Sequence, residues 1–244
     1  MMRTIHIIMP MAGEGSRFTN EGWSTPKPLI RLDGKALFER AINSIVLEGI
    51  HVNYSFIVRQ EHIDKYSIDS EVWALYPDAN IFPVEKTTRG AVETCLLAEN
   101  VIETDEAVVI MDCDLEFKSK DLNKAITEIL SEPAKMTDGG LLVSFEAQEP
   151  RYSYAEIDAQ NVVIRTAEKE VISNHALCGA YFFSKADSFL YAAKKLMNEA
   201  DFDKPEFYVS LLYNYLIGRG ETVKLITLDE YHSYGTPEEL KHYL

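Results

Sequence analysis

Hydrophobic and polar residues follow two periods along the first part of the chain, and these periods predict strands and helices in turn. Short apolar runs bounded by polar residues have the length of buried strands. The segments between them carry apolar residues at every third or fourth position, as Phe38, Ile42 and Ile45 do. Strands that alternate with helices predict a largely parallel sheet covered on both faces. Strands are expected at 4–9, 52–58, 80–84, 107–114 and 139–145, and helices at 35–48, 61–76, 90–102 and 120–130.

The pattern changes after about residue 150, where alternation at 154–169 predicts a hairpin that turns near Gln160–Asn161. No linker, repeat or low-complexity tract interrupts the sequence. We therefore predict one domain over residues 1–244, a three-layer α/β/α sandwich with a mixed, mostly parallel, Rossmann-like sheet. The later elements are expected to be strands at 178–183 and 222–228 and helices at 185–197, 206–217 and 236–244.

Composition narrows the classes of partner. The chain has 39 acidic and 24 basic side chains, a formal net charge of −15, which argues against a nucleic-acid or anionic-membrane surface. Cys95, Cys113 and Cys178 have no CxxC spacing, so neither disulfides nor a zinc site is expected. No signal-peptide pattern and no run of about 20 apolar residues is present, so we expect a cytoplasmic protein.

One basic, glycine-rich segment, PMAGEGSRFTNEGWSTPKPLI, follows the first predicted strand. Gly13 and Gly15 allow close approach of the backbone to an anion, and successive N–H groups there can surround phosphate oxygens. Ser16 and Arg17 can add hydrogen bonds, and Lys27 stands between two prolines that restrict its backbone. The alternative is a tight turn with solvent-facing Arg and Lys. The pattern is neither a P-loop nor a dinucleotide fingerprint.

MAGEGSRF, followed after seven residues by PKPLI, resembles the signature of the nucleotidyltransferases that activate phosphorylated sugars and alcohols. The resemblance implies the nucleotide-diphospho-sugar transferase type of fold, with a nucleotide part at about 1–117 and an acceptor part at about 118–244. Arg17 would bind the β- and γ-phosphates and stabilise departing pyrophosphate, and Lys27 would contact the acceptor phosphate and the α-phosphate. The loop residues expected to hold the nucleotide are Met11, Ala12, Gly13, Glu14, Gly15 and Ser16.

Two carboxylates end the apolar run VVIM and share one face of the chain, because side chains alternate along a strand. Asp112 and Asp114 suit Mg²⁺, a hard ion that prefers oxygen ligands; alternatively, they cap the next turn. By resemblance Asp114 is the metal ligand, with Asp112 a further candidate and Mn²⁺ a substitute ion. The family's second ligand, an aspartate before G-T-P-E, is replaced by Ser233, so Asp112, water or His232 could complete the site.

Base and acceptor recognition are also expected from the resemblance. TTRGAVETCL matches the base-recognition segment at Thr88, Arg89 and Gly90, but without the usual glutamine, so the base is not specified; Arg89 could equally be a solvated residue at a helix start. Ser153 stands where sugar-activating members keep a glycine, and Glu170 replaces a proline, which weakens the case for a hexose acceptor. The residues expected to bind the acceptor are Lys27, Ser153, Tyr154, Glu168, Lys169 and Gly179.

These observations predict a Mg²⁺-dependent nucleotidyltransferase whose catalytic residues are Arg17, Lys27 and Asp114. It would join CTP, UTP or dTTP to a sugar phosphate, phospho-alcohol or phospho-amino acid, in a setting such as cell-surface polysaccharide biosynthesis. Its expected partners are the NTP and the acceptor, without nucleic acid or membrane, and a homodimer is left open. Two alternatives stay open: a metal-dependent glycosyltransferase using Asp112-Cys113-Asp114 as a D-x-D motif, and a non-catalytic nucleotide-binding homologue.

Overall fold

A computed structural model describes residues 4–131, 139–199 and 203–244. The strands are β1 Thr4–Met11, β2 Arg31–Leu32, β3 Lys35–Ala36, β4 His51–Arg59, β5 Asn80–Val84, β6 Ala107–Met111, β7 Leu115–Lys118, β8 Gly140–Glu146, β9 Ser153–Ile157, β10 Val163–Glu168, β11 His175–Phe183, β12 Val223–Thr227 and β13 Glu230–Ser233. The helices are α1 Ser16–Asn20, α2 Leu37–Asn43, α3 Gln60–Tyr66, α4 Ile68–Leu75, α5 Ala91–Leu96, α6 Lys120–Ser131, α7 Ala186–Met197, α8 Leu212–Gly218 and α9 Pro237–Lys241.

Seven strands form the body of the central sheet in the order β5-β4-β1-β6-β11-β8-β12. Strand β11 is antiparallel to both of its neighbours, β6 and β8, whereas the pairs β5-β4, β4-β1, β1-β6 and β8-β12 are parallel. Six of these seven strands therefore run in one direction. This confirms the predicted mixed, mostly parallel sheet.

The sheet forks at β11. The second half of β11 pairs with β6, while its first half pairs with β9, which leads to the antiparallel hairpin partner β10. The pairing of β11 with β8 shifts register between Leu177 and Tyr181, where Gly179 has a φ of +94°. Such an irregularity bends a strand locally. The β9-β10 hairpin therefore branches from β11 beside the end of β6, and its turn contacts β12, where the N–H of Leu225 donates to the carbonyl of Asn161 at 3.0 Å.

Alternation along β1 and β6 sorts the core into two layers. Ile5, Ile7 and Met9 of β1 pack with buried residues of α2, α4 and α6, whereas Ile8 packs on the opposite face with α5, α7 and α8. Both faces of a parallel sheet are buried in this way because crossover helices cover each of them. The three-layer prediction is confirmed, and no helix among the described residues is long and apolar enough to cross a membrane.

Several predicted helices are shorter than the periodic segments that indicated them. The segment 61–76 forms two helices, because Ser67 has a φ of +52° and ends α3 before α4 begins. The segment 206–217 becomes helical only after a 3₁₀ turn at Val209–Leu211. The predicted hairpin is present, with Asn161 in the left-handed region at its turn and the carboxylate of Asp158 accepting the N–H of Gln160 at 2.8 Å. The small pair β7-β13 has no counterpart in the prediction, since its two strands are far apart in the sequence.

Candidate active site

The glycine loop leaves β1 at the carboxyl edge of the sheet, where parallel strands bring their ends together. Gly15 adopts a φ of +62° and its carbonyl accepts the N–H groups of Phe18 and Thr19 at 2.9 and 3.2 Å, which starts α1. Phe18 is buried in a small cluster with Tyr234 and Leu240 from the far end of the chain. The loop is therefore anchored at both ends, while residues 13, 14, 16 and 17 are exposed.

The loop residues predicted to hold the nucleotide differ in what they expose. The side chains of Met11 and Ala12 are buried, so only their backbone groups can face a ligand. The carbonyl of Ala12 accepts a hydrogen bond from Arg59 Nη1 at 3.4 Å. Arg17 forms no hydrogen bond or ion pair with the residues that the structure describes, although it lines a cavity discussed below.

Lys27 is aimed at the two predicted metal-site carboxylates. Its Nζ donates to Asp114 Oδ2 at 2.7 Å, and the two side chains are 25% and 20% exposed. Burial opposes the charge on Lys27, but the carboxylates of Asp114 and Asp112 outweigh it and raise the lysine pKa. The ammonium therefore stays protonated at neutral pH.

Asp112 lies against the irregular segment of β11. Its N–H donates to the carbonyl of Gly179 at 2.9 Å, and a Cβ added to Gly179 would lie 2.6 Å from Asp112 Oδ2. Burial and the neighbouring Asp114 carboxylate raise the pKa of Asp112 to about 7. Two carboxylates are thus held close together, and the ionisation of Asp112 beside a charged Asp114 is unfavourable.

The residues fit a magnesium ion bound largely by substrate and water. No cluster of three or more His, Cys, Asp or Glu side chains suited to a metal occurs among the described residues. Mg²⁺ commonly uses only one or two carboxylates together with substrate phosphates, and Asp112 and Asp114 supply two. Ser233 Oγ donates to Glu239 Oε2 at 3.0 Å, and His232 Nδ1 pairs with the hydroxyl of Tyr243 at 3.1 Å. The two aspartates are therefore the better donors.

Two cavities meet at these aspartates. One, of about 510 Å³, is bounded by the glycine loop, by the predicted base-recognition segment and by Lys27. The other, of about 320 Å³, is bounded by Arg17, by the fork of the sheet and by the segment before β9. Both are lined by Asp112 and Asp114. Among the residues predicted to bind the acceptor, Ser153, Glu168 and Gly179 line the second cavity.

The other two predicted acceptor residues have partners within the protein. The side chain of Tyr154 is buried, and its hydroxyl donates to the carbonyl of Glu149 at 2.7 Å. Lys169 Nζ donates to the hydroxyl of Tyr208 at 2.7 Å and lies 4.8 Å from the centroid of that ring. Neither Tyr154 nor Lys169 is among the residues lining the cavity.

The predicted base-recognition segment is packed tightly against the chain around Phe207. Gly90 has a φ of +137°, and an added Cβ would lie 2.5 Å from the nitrogen of Phe207. The N–H of Phe207 donates to the carbonyl of Arg89 at 2.9 Å. Arg89 forms an ion pair with Glu93 at 2.8 Å, and Thr88 Oγ1 lies 2.5 Å from another hydroxyl, that of Thr94. Gly90 is thus needed because a side chain there would overlap the backbone of Phe207, and the residue also borders the first cavity.

Other residues at the site carry no motif. Arg59 ends β4 and contacts Thr87 Oγ1 at 3.2 Å, which in turn donates to Glu14 Oε1 at 2.9 Å. Because β4 is parallel to β1, its carboxyl end had to lie beside the glycine loop, and that rule could have identified Arg59. No comparable signal marks Arg151, which pairs with Glu239 at 2.7 Å, or the other unpredicted cavity residues Tyr152, Glu206, Tyr208 and Tyr231.

Comparisons with known proteins agree on the family and the fold. The family described as nucleotidyl transferase matches residues 5–221. A nucleoside-diphosphate-sugar pyrophosphorylase from Vibrio cholerae is similar in structure, with a TM-score of 0.81, 26% identity, and coverage of 98% of this chain and 99% of that one. No curated protein matches the sequence.

Two more distant structures share the fold. A protein described as a glucose-1-phosphate thymidylyltransferase, from Bacillus anthracis, has a TM-score of 0.76 at 18% identity. An inositol-1-phosphate CTP transferase from T. maritima has a TM-score of 0.72 at 15% identity. Each comparison covers 98% of this chain and 93% of the other.

Proposed function

The chain belongs to the nucleotidyl transferase family, and we propose that it joins an NTP to a phosphorylated small molecule and releases pyrophosphate. The observation that carries this proposal is the meeting of two cavities at Asp112 and Asp114, with Lys27 Nζ 2.7 Å from Asp114. The first cavity, lined mainly by residues before 117, would take the nucleotide, and the second would take the acceptor. The reacting phosphates would then lie beside both aspartates.

The reaction needs no nucleophile from the protein. An oxygen of the acceptor phosphate attacks the α-phosphorus of the NTP, and the bond from that phosphorus to the pyrophosphate oxygen breaks on the opposite side. Lys27 would bind the acceptor phosphate and the α-phosphate, and Arg17 would balance the charge on the departing pyrophosphate. Catalysis by positioning and charge neutralisation suits such groups.

Asp114 and Asp112 would hold Mg²⁺, or Mn²⁺ in its place. When bound, the ion would orient the NTP phosphates and reduce their negative charge. Burial and the Asp114 carboxylate raise the pKa of Asp112 to about 7, and a bound divalent cation would favour the ionised form of both carboxylates instead. Ser233 is not needed as a ligand in this arrangement.

CTP, UTP and dTTP are the candidate nucleotides, and the acceptor is a sugar phosphate, a phospho-alcohol or a phospho-amino acid. Ser153 narrows the choice of acceptor. Its hydroxyl donates to Glu168 in the second cavity, at the position where family members that activate sugars keep a glycine. A hexose ring is therefore less favoured than a smaller acceptor.

The test is a pyrophosphate-release screen of four NTPs against phosphorylated acceptors, with Mg²⁺, Mn²⁺ or a chelator. Turnover that requires the ion, and that is lost in folded Asp114→Ala, supports the proposal. Consumption of a nucleotide sugar without pyrophosphate release would identify a glycosyltransferase instead. Tight NTP binding with no turnover on any acceptor would identify a non-catalytic homologue.

A further inference from the structure

The acceptor cavity contains a buried carboxylate that two hydroxyl groups hold in place. Glu168 is 5% exposed, and its Oε2 accepts hydrogen bonds from Ser153 Oγ and, at 2.8 Å, from Ser210 Oγ. Ser210 is itself fully buried, and its carbonyl accepts the hydroxyl of Thr166 at 2.8 Å. Both serines use the same oxygen. The orientation of the Glu168 carboxyl group is therefore determined before any ligand binds.

The other oxygen of this carboxylate has no partner of its own. None of the described residues donates a hydrogen bond to Glu168 Oε1, and none forms an ion pair with Glu168. The neighbouring Lys169 donates to Tyr208 instead. A largely buried carboxylate with no direct ion pair is costly, so a ligand that supplies a positive charge gains more there than a neutral ligand does.

The walls around Glu168 suit a cation as well. Tyr152, Tyr208 and Tyr231 line the same cavity, and two of these rings already hold cations of the protein, Arg151 at 4.6 Å over Tyr152 and Lys169 at 4.8 Å over Tyr208. Glu206 adds a further carboxylate to the lining. Two cations also line this cavity, but neither forms an ion pair with Glu168: Arg151 is paired with Glu239 at 2.7 Å, and Arg17 is the residue proposed above to balance the charge on pyrophosphate.

Resting on the proposed function, we propose that the acceptor is a phosphate monoester that also carries a protonated amine. Its phosphate would lie where the two cavities meet, beside Asp112, Asp114 and Lys27, and its ammonium group would bind Glu168 Oε1. Ser153 and Ser210 are then positioning residues, because they act through the carboxylate that they hold. An enzyme specific for a hexose phosphate would instead recognise the hydroxyl groups of the sugar.

Matched acceptor pairs test this directly in the pyrophosphate assay with the preferred NTP. In each pair a hydroxyl group replaces the ammonium group: 2-aminoethyl phosphate against 2-hydroxyethyl phosphate, and O-phosphoserine against 3-phosphoglycerate. At least one amine should exceed its partner roughly 10–100-fold in kcat/KM, as expected for a hydrogen bond to a charged group. Equal use of both members in every active pair, or a hexose 1-phosphate as the best acceptor, would overturn the inference.

Substitutions distinguish the role of the Glu168 carboxylate from that of the serine that positions it. Glu168→Gln should reduce the amine preference to within about 3-fold, because the amide keeps the shape and removes the charge. Ser210→Ala should raise KM for the amine several-fold while kcat and KM for the NTP stay unchanged. Ser188→Ala is the matched control, since Ser188 donates to Glu221 at 2.7 Å outside both cavities. An unchanged amine preference in folded Glu168→Gln would contradict the assignment.

The assay distinguishes a failure of the proposed ammonium site from a failure of the proposed function. If pyrophosphate is released with neutral acceptors and no pair favours its amine, only the ammonium site is wrong. If no acceptor of any kind supports turnover, the proposed function fails, and the inference that rests on it is overturned as well.

Discussion

Gly179→Ala should damage both stability and the candidate active site, because a methyl group there has no room. Gly179 has a φ of +94°, and its added Cβ would lie 2.6 Å from Asp112 Oδ2 and 3.0 Å from Leu115 Cδ2. A left-handed backbone costs alanine about 1–2 kcal/mol. Overpacking of a buried site adds about 1–3 kcal/mol.

The expected loss is therefore about 2–5 kcal/mol in the free energy of unfolding, which lowers Tm by roughly 5–20 °C in a domain of this size. The contact also moves the Asp112 carboxylate. Displacement of a reacting group by about 1 Å can cost on the order of 100-fold in rate, so kcat should fall about 10–100-fold. Thermal melts and the pyrophosphate assay measure the two effects separately.

A double-mutant cycle with Asp112→Ala tests the cause. Without the carboxylate, Gly179→Ala should still cost the backbone term of about 1–2 kcal/mol and part of the contact with Leu115, so a coupling of no more than about 3 kcal/mol is expected. Gly218→Ala is the control, because nothing lies within 4 Å of the added Cβ at the end of α8. The reasoning would be refuted by an unchanged Tm, or by equal costs with and without the Asp112 carboxylate.

Two further predictions concern charged pairs. Lys27→Met should lower kcat on the order of 100–1,000-fold with a folded protein, as for loss of one preorganised donor. Lys241→Met, which removes an exposed ion pair of the same 2.7 Å length, should leave turnover unchanged, and equal rates in both variants would contradict a catalytic Lys27. At Glu106, burial raises the pKa, but the His6 ring 3.4 Å away and the hydrogen bond from Asn53 Nδ2 at 2.8 Å lower it by more, so the folded pKa lies below the usual value. The resulting stabilisation is present above the unfolded pKa and is lost as pH falls through the folded value. Glu106→Gln should be less stable at pH 7 and should flatten the acid limb of urea-denaturation curves; an unchanged limb would contradict this.

The local sequence pattern was sufficient to predict the architecture and the part of the candidate site formed by the glycine loop and the two aspartates. The strand and helix periods predicted three layers, since each element must bury its apolar face. The glycine loop and the pair Asp112 and Asp114 could be identified because both directly follow buried strands, and parallel strands end at a common edge. These are arguments over a few consecutive residues, and they need no knowledge of which distant segments pack together.

The remaining contacts of the candidate site depend on packing between segments that are distant in the sequence. Ser210 lies 42 positions from Glu168, yet it donates a hydrogen bond to that carboxylate. Arg151 reaches Glu239 from across the sheet fork, and Gly90 is required by the backbone of Phe207. No local period encodes such pairs, because each depends on how segments that are far apart in the sequence come together in three dimensions. The alternation of strands and helices, and with it the layered architecture, follows from sequence, whereas the shape and charge of the acceptor cavity arise only when the chain has folded.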